Sequence, residues 1–312
     1  MELFDYSLPF IFYRLPGDNE YRFVDNLTTE VGCLRGNGIA ITQWLDRPFQ
    51  QTEVAQISTP ADIYRHSVTS AAETARLNNG KVVIARQICG KFHNFAPISM
   101  AQEYFDMFPD MFCFLFYHPV TGYWMGASPE LLVSLKDDIA YTRALAGTRR
   151  VGTETKWDDK NIAEHNMVID DIRSNIRELY PTWNCDVKET ATLRYGEIEH
   201  LCTSIELHCS EKGSITVGKV AKALHPTAAV CGLPRDIAVK NIDRLEQFDR
   251  RFYAGLISTA DTAYVILRCV HFDSNHWCIY SGSGITGQSV ADDEWAETQA
   301  KAEPLISLLN KF

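Results

Sequence analysis

The sequence predicts an α+β fold built on largely antiparallel sheets. Three observations lead there. Strand-like runs and amphipathic helical stretches are interleaved along the 312 residues. Short turn-rich segments join several of the strand runs, as hairpins require. No repeat, low-complexity tract or Pro/Gly/Ser linker divides the chain, which fits one folding unit with helices packed outside the sheets.

The elements follow in order. Residues 1–60 read as short strands and loops. Ala61–Asn79 has helical composition. Lys81–Ile88, rich in β-branched residues, reads as a strand with Lys81, Val83 and Ala85 on one face. Ala101–Met107 reads as a helix. Phe112–Tyr117 and Tyr123–Met125 form a hairpin through His118–Gly122. A strand is expected through Asp138–Arg143. Lys160–Tyr180 carries apolar residues at 162, 169, 172, 176 and 179, a helical stripe. Tyr264–Phe272 and His276–Ser281 read as a second hairpin around Asp273-Ser274-Asn275. Asp292–Lys311 reads as a terminal helix bent at Pro304.

Composition narrows the function. Hydrophobic residues make up 46% and charged residues 22%, ordinary for a globular protein with a sizeable core. The net charge of −10 and the lack of a polybasic run argue against nucleic acid and anionic membranes as partners. No run approaches the roughly 18 apolar residues of a membrane span, and Met1–Phe10 lacks the pattern of a signal peptide. Nine cysteines, an odd number without a CxxC pair, read as free thiols in a reducing compartment. A cytoplasmic enzyme is the expectation.

Five groups of residues could carry chemistry. Glu294, Glu297 and Lys301 share one face of the last helix; an exposed ion pair would explain them as well. Glu164-His165 opens the helix from Lys160, with Glu164 off the apolar stripe and therefore solvated by default. One glutamate on each of two helices would suffice for Mg²⁺, which keeps waters and takes oxygen from substrate. Glu130 follows the bend Gly126-Ala127-Ser128-Pro129, where desolvation could keep a carboxyl protonated as an acid. Lys81 is either an edge lysine reaching for solvent or a desolvated amine able to act as a base. Two glycine-containing segments, Ala144–Arg150 and Ser281–Gly284, are either turns or backbone amides brought close to an anion.

Taken in order, these segments resemble the chorismate-utilising enzymes, among them isochorismate, anthranilate, aminodeoxychorismate and salicylate synthases. The landmarks run from Lys81-Val-Val-Ile-Ala-Arg86 through Gly126–Glu130, Leu145-Ala-Gly-Thr148, Glu164-His165 and His200-Leu-Cys-Thr203. They continue with Leu224-His-Pro-Thr227, Tyr253-Ala-Gly255, Arg268 and Gly282-Ser-Gly-Ile285, and end on Glu294-Trp-Ala-Glu297-Thr-Gln-Ala-Lys301. The resemblance implies one chorismate-binding catalytic domain over 1–312, with residues 1–60 divergent, and two large packed antiparallel sheets flanked by helices in an α/β/β/α arrangement. It implies Mg²⁺ on Glu164 and Glu297 with Glu294 close by. Arg268, Lys301 and the backbone at Gly147, Thr148 and Gly282 would hold the carboxylates of chorismate, and His200 would sit beside the ring.

The resemblance also separates subfamilies. Amine-adding members usually carry glutamine at the Lys81 position. His225-Pro226-Thr227, with Gly232 and Pro234, is similar to the isochorismate synthase version of that loop, so His225 and Thr227 are specificity positions. The implied reaction is addition of water at ring C2, with Lys81 as base, and loss of the C4 hydroxyl, with Glu130 as acid. No glutaminase subunit is then expected. Menaquinone, a siderophore and salicylate all stay open as destinations of the isochorismate formed. Ala228, Arg251 and Leu256 depart from the family's usual residues nearby. The alternatives are a salicylate synthase, an amine-adding enzyme, and a non-catalytic sensor of a chorismate-like ligand.

Overall fold

A computed structural model describes residues 8–45, 49, 53–152, 156–195, 197–211 and 213–312. Among them, two antiparallel sheets carry the fold, and helices flank both, as the α/β/β/α expectation has it.

The first sheet has eight strands. They are β1 (Phe10–Arg14), β2 (Arg22–Asp25), β6 (Lys81–Lys91), β7 (Phe112–His118), β8 (Gly122–Ser128), β13 (Gly232–Leu233), β16 (Cys269–Phe272) and β17 (His276–Thr286). Their spatial order is β13-β6-β17-β16-β8-β7-β1-β2. The second sheet has nine: β3 (Thr28–Glu30), β4 (Cys33–Gly36), β5 (Ile39–Thr42), β9 (Leu131–Lys136), β10 (Ile139–Arg150), β11 (Asn184–Tyr195), β12 (Ile198–His208), β14 (Leu256–Ser258) and β15 (Thr262–Val265). Their order is β11-β12-β10-β9-β15-β14-β5-β4-β3. The helices are α1 (Ala61–Leu77), α2 (Pro97–Met107), α3 (Asp159–Leu179), α4 (Val217–Leu224), α5 (Arg235–Leu245) and α6 (Ala291–Leu309). None of the described helices is long and apolar enough to cross a membrane.

Helices α1, α2 and α6 pack on the first sheet, and α3 and α4 on the second. One core joins inward residues of both sheets, such as Phe114, Trp124, Ile41 and Ile205. A second core lies under α2 and α6, where Met100, Tyr104, Leu305 and Leu308 meet Leu115, Met125 and Ile279. Alternation on the strands explains both: successive residues of β7 face opposite sides, so Phe114 and Leu115 enter different cores. The N-terminal residues are integral. Strands β1 and β2 extend the first sheet, and β3 to β5 end the second.

The structure departs from the sequence reading at three places that matter for the site. The Tyr264–Phe272 run is not one strand. Strand β15 belongs to the second sheet and β16 to the first, and Arg268, with φ +47°, turns the chain between them. The hairpin is β16–β17, pairing Phe272 with Trp277. Second, the stripe on α3 is rotated. Its buried face is Glu164, His165, Val168, Ile172 and Ile176, whereas Ile162 and Leu179 are 41% and 48% exposed. Glu164 is buried because a buried lysine awaits it. Third, the expected strand at Asp138–Arg143 extends to Arg150, with a bulge between Ala146 and Thr148. The long β11–β12 hairpin, α4 and α5 are elements that the sequence reading leaves unassigned.

Candidate active site

One cavity lies where β17, β10, α3 and α6 converge, and its wall gathers much of the polar chemistry anticipated from the sequence. Glu130, Glu164, Glu297 and Lys301 face it, as do Gly147, Thr148, His200, Arg268 and Gly282.

Lys81 opens β6 between β13 and β17 and is 0% exposed. Its Nζ donates to Glu164 Oε1 at 2.7 Å, from the first turns of α3. That helix is started by Asp158, whose side chain accepts from the Asn161 amide. Lys81 itself stands behind Glu164 rather than on the cavity wall. The contact depends on Gly284 of β17. A Cβ at Gly284 would fall on Glu164 Oε1 and come within 3.1 Å of Lys81 Nζ.

Glu130 follows β8 through Ser128-Pro129 and is 6% exposed. Its Oε1 accepts from Thr227 Oγ1 at 3.1 Å. Burial pushes the carboxyl up to about 7, against the lowering effect of the Thr227 bond and of the Lys81 and Lys301 charges. A carboxyl so placed holds its proton near neutrality and can donate it.

Helix α6 contributes Glu294, Glu297 and Lys301 from one face. Lys301 Nζ donates to Glu297 Oε1 at 2.6 Å and to the Gly282 carbonyl at 3.1 Å. Glu294, 1% exposed, lies behind the wall and accepts from Lys160 Nζ at 2.6 Å. The Glu297 carboxyl is raised by burial, opposed by Lys301, and raised further by Glu294 and Glu164.

The opposite wall carries Arg268, His200 and the bulge of β10. Arg268 donates to His200 Nε2 at 3.1 Å, and the other ring nitrogen, Nδ1, donates to the Gly147 carbonyl at 3.2 Å. That pattern fixes one neutral tautomer. Burial, followed by the Arg268 and Lys301 charges, holds His200 well below the usual imidazole range. Gly147 adopts φ +76° at the bulge, and the Thr148 amide is taken by Asn161 Oδ1 at 3.0 Å. Gly282 lets Tyr253 reach the wall, since a Cβ there would lie 2.7 Å from the Tyr253 hydroxyl.

The two loop positions part company. Thr227 reaches Glu130. His225 does not line the cavity; its Nε2 donates to the Trp44 carbonyl at 3.2 Å, and burial lowers the ring to about 4. Three contributors escaped the sequence reading: Lys160 as partner of Glu294, Asn161 under Thr148, and Tyr253 beside Gly282. Lys160 and Asn161 sit at a helix start, where polar residues are ordinary; only their place beside Glu164 hinted at a role.

The carboxylates of the cavity are of the kind a hard cation takes, but the ligand atoms of Glu164, Glu294 and Glu297 are not gathered within 4.8 Å of one another. Glu164, Glu294 and Glu297 come from two helices and provide carboxylate oxygen alone, which Mg²⁺ or Ca²⁺ takes in preference to softer metals. Each is turned to its own lysine, so positive charge already balances the cluster. Asp186, Glu206 and His208 hold ligand atoms within 4.8 Å of one another on β11 and β12. That group lies outside the cavity, and Lys188 bridges its two carboxylates.

The comparisons with known proteins point one way. A family model described as a chorismate binding enzyme matches residues 37–310. Isochorismate synthase DhbC of Bacillus subtilis is 34% identical over 198 residues, 58% of this chain and 49% of that protein. Anthranilate synthase component 1 of Acinetobacter calcoaceticus is 30% identical over 199 residues, 58% of this chain and 39% of that protein. Each match thus spans less than half of the curated relative. The solved structure of MenF, the menaquinone-specific isochorismate synthase from Escherichia coli, superposes with a TM-score of 0.79 at 22% identity, covering 99% of this chain and 92% of that one. At that identity the likeness concerns the fold.

Proposed function

The chain belongs to the chorismate-binding enzyme family, and from that membership we propose that it is a Mg²⁺-dependent isochorismate synthase acting on chorismate. The observation that carries the reading is Glu130. Its buried carboxyl, held near 7, shares one cavity with the partner of a buried lysine and with two further cationic groups, Arg268 and Lys301.

In this reading Arg268, Lys301 and the backbone near Gly147 and Gly282 orient the two carboxylates of chorismate, while the Thr148 amide is held by Asn161. Glu164 and Glu297, with Glu294 behind, would hold Mg²⁺, which would supply positive charge to neutralise a carboxylate of the substrate. Lys81, once freed from the Glu164 carboxylate that stands between it and the cavity, takes a proton from water as the oxygen attacks ring C2. Glu130 gives its proton to the hydroxyl leaving C4, and the double bonds shift between the two carbons. Base and acid come from different elements, β6 and the turn after β8, and burial keeps Glu130 protonated for its part. His200, neutral and fixed by Arg268, borders the ring without competing for the proton.

Lys81 favours water over ammonia, because ammonia attacks without a base. A chain that uses water has no need of a glutaminase partner. Product analysis tests the reading. Chorismate with Mg²⁺ yields isochorismate in reversible equilibrium, with little pyruvate and no anthranilate even at high ammonium. Stoichiometric pyruvate with salicylate would move the chain to the salicylate branch. Binding without turnover at any pH would make it a sensor.

A further inference from the structure

Cys89 on β6 and Cys278 on β17 face each other directly across the antiparallel pair. The pairing is of the kind that brings side chains closest. The Cys89 amide donates outward to Ser58 Oγ at 2.9 Å, and the Gln87 amide outward to Thr59 Oγ1 at 3.0 Å. Neither therefore donates to β17, and Cys89·Cys278 is a pair without mutual backbone hydrogen bonds. Opposed Cα atoms at such sites lie about 4.5 Å apart, inside the span of roughly 4.4–6.8 Å that a disulfide bridges. Both are free thiols; Cys278 is buried and Cys89 half-buried.

We propose that Cys89 and Cys278 form a reversible dithiol–disulfide modification site, oxidised by low-molecular-weight disulfides of the glutathione type. The two cysteines divide the labour. The neighbouring Cys278 side chain lowers Cys89 below the usual thiol range, while Cys278 is itself raised by that neighbour and by burial. Cys89, the more accessible and the more acidic, attacks one sulfur of the oxidant and expels a thiolate. Cys278 then attacks Cys89 Sγ, expels the second thiolate and passes its proton to it. The two cysteine sulfurs lose two electrons in all, and the oxidant disulfide gains them as two thiols. No other strand pairing sets two cysteines opposite each other among the described residues. The same two strands carry Lys81, Gly282 and Gly284, so the site sits on the frame of the cavity.

The test incubates the full folded chain with buffered mixtures of reduced and oxidised glutathione, followed by intact mass and peptide mapping. The expected result is loss of two hydrogens, a crosslinked peptide joining Cys89 to Cys278, and reversal by reductant. In Cys278→Ala the glutathione should stay on Cys89 as a mixed disulfide; in Cys89→Ser the crosslink should vanish. Absence of the Cys89–Cys278 crosslink at every ratio, or glutathione retained on Cys89 in the unsubstituted chain, overturns the proposal. Mapping the unsubstituted chain decides the matter even where Cys278→Ala folds poorly.

Discussion

Lys81 Nζ and Glu164 Oε1 lie 2.7 Å apart, and Gly284 is the reason they can meet. The lysine comes from the start of β6, which pairs with β17, and the glutamate from α3; both reach the same face of Gly284. A side chain at Gly284 would occupy the space in which the carboxylate sits. Gly284→Ala should therefore act on function and on folding together, because pushing the carboxylate aside strands the buried Lys81 ammonium. Turnover of chorismate should fall at least about tenfold and the melting temperature should fall with it. A variant with full activity would show that the Lys81–Glu164 contact is dispensable.

Glu130 sets the alkaline side of the pH profile. Its carboxyl is raised to about 7 and the protonated form is the competent acid. kcat/KM should thus fall as pH rises through that value. The Thr227 hydrogen bond lowers the Glu130 pKa, so Thr227→Val should raise it and move the alkaline limb up by about 0.5–1 pH unit. Glu130→Gln should bind chorismate and lose turnover. An alkaline limb that stays put in Thr227→Val would detach it from Glu130.

What the sequence made legible follows from where local signals dominate. The β7–β8 hairpin and β6 were readable because branched and aromatic residues alternate between turn residues. The Glu294, Glu297, Lys301 face was readable from helical spacing alone. Glu164 was not: its burial is decided by Lys81, 83 residues earlier in the chain, and no periodicity on α3 records that partner. Arg268 likewise hides a sheet change, since an arginine at φ +47° within an apolar run looks like continued strand. The ordered landmarks named the family, yet Lys160 and Tyr253 became visible as site residues only once α3, α6 and β17 were assembled.

Lys81 and the carboxylates can be separated by choosing variants with care. Lys81→Ala removes the proposed base and should cost roughly 10²–10⁴-fold in turnover, with chorismate binding retained. Glu164→Gln is a poor probe of the metal, because it strands a buried ammonium, and losing one member of a buried pair costs about 3–5 kcal/mol. Glu297→Gln is cleaner, since its partner Lys301 keeps the Gly282 carbonyl. That variant should fold normally, weaken Mg²⁺ binding in calorimetry and lose Mg²⁺-dependent turnover. Unchanged Mg²⁺ affinity would remove Glu297 from the metal site.

Far from solvent, Glu246 and Arg250 brace the cavity wall from behind. They pair at 2.5 Å, and both are buried. Glu246 accepts the Ala85 amide at 2.8 Å, while Arg250 donates to the carbonyls of Val83 and Val230 at 2.8 and 2.6 Å. Strand β13 is only two residues long, so beyond it the edge of β6 needs these side chains to satisfy its backbone. Val83 and Val230 line the cavity. Arg250→Met leaves a carboxylate and two carbonyls unpaired and should cost about 3–5 kcal/mol in urea unfolding. Where the variant still folds, KM for chorismate should rise more than kcat falls, and the alkaline limb set by Glu130 should not move. Arg250→Lys should recover only part of the loss, because one ammonium cannot span the carboxylate and both carbonyls as the guanidinium does. Near-normal stability in Arg250→Met would mean that water or a rearranged 228–231 segment satisfies these groups instead.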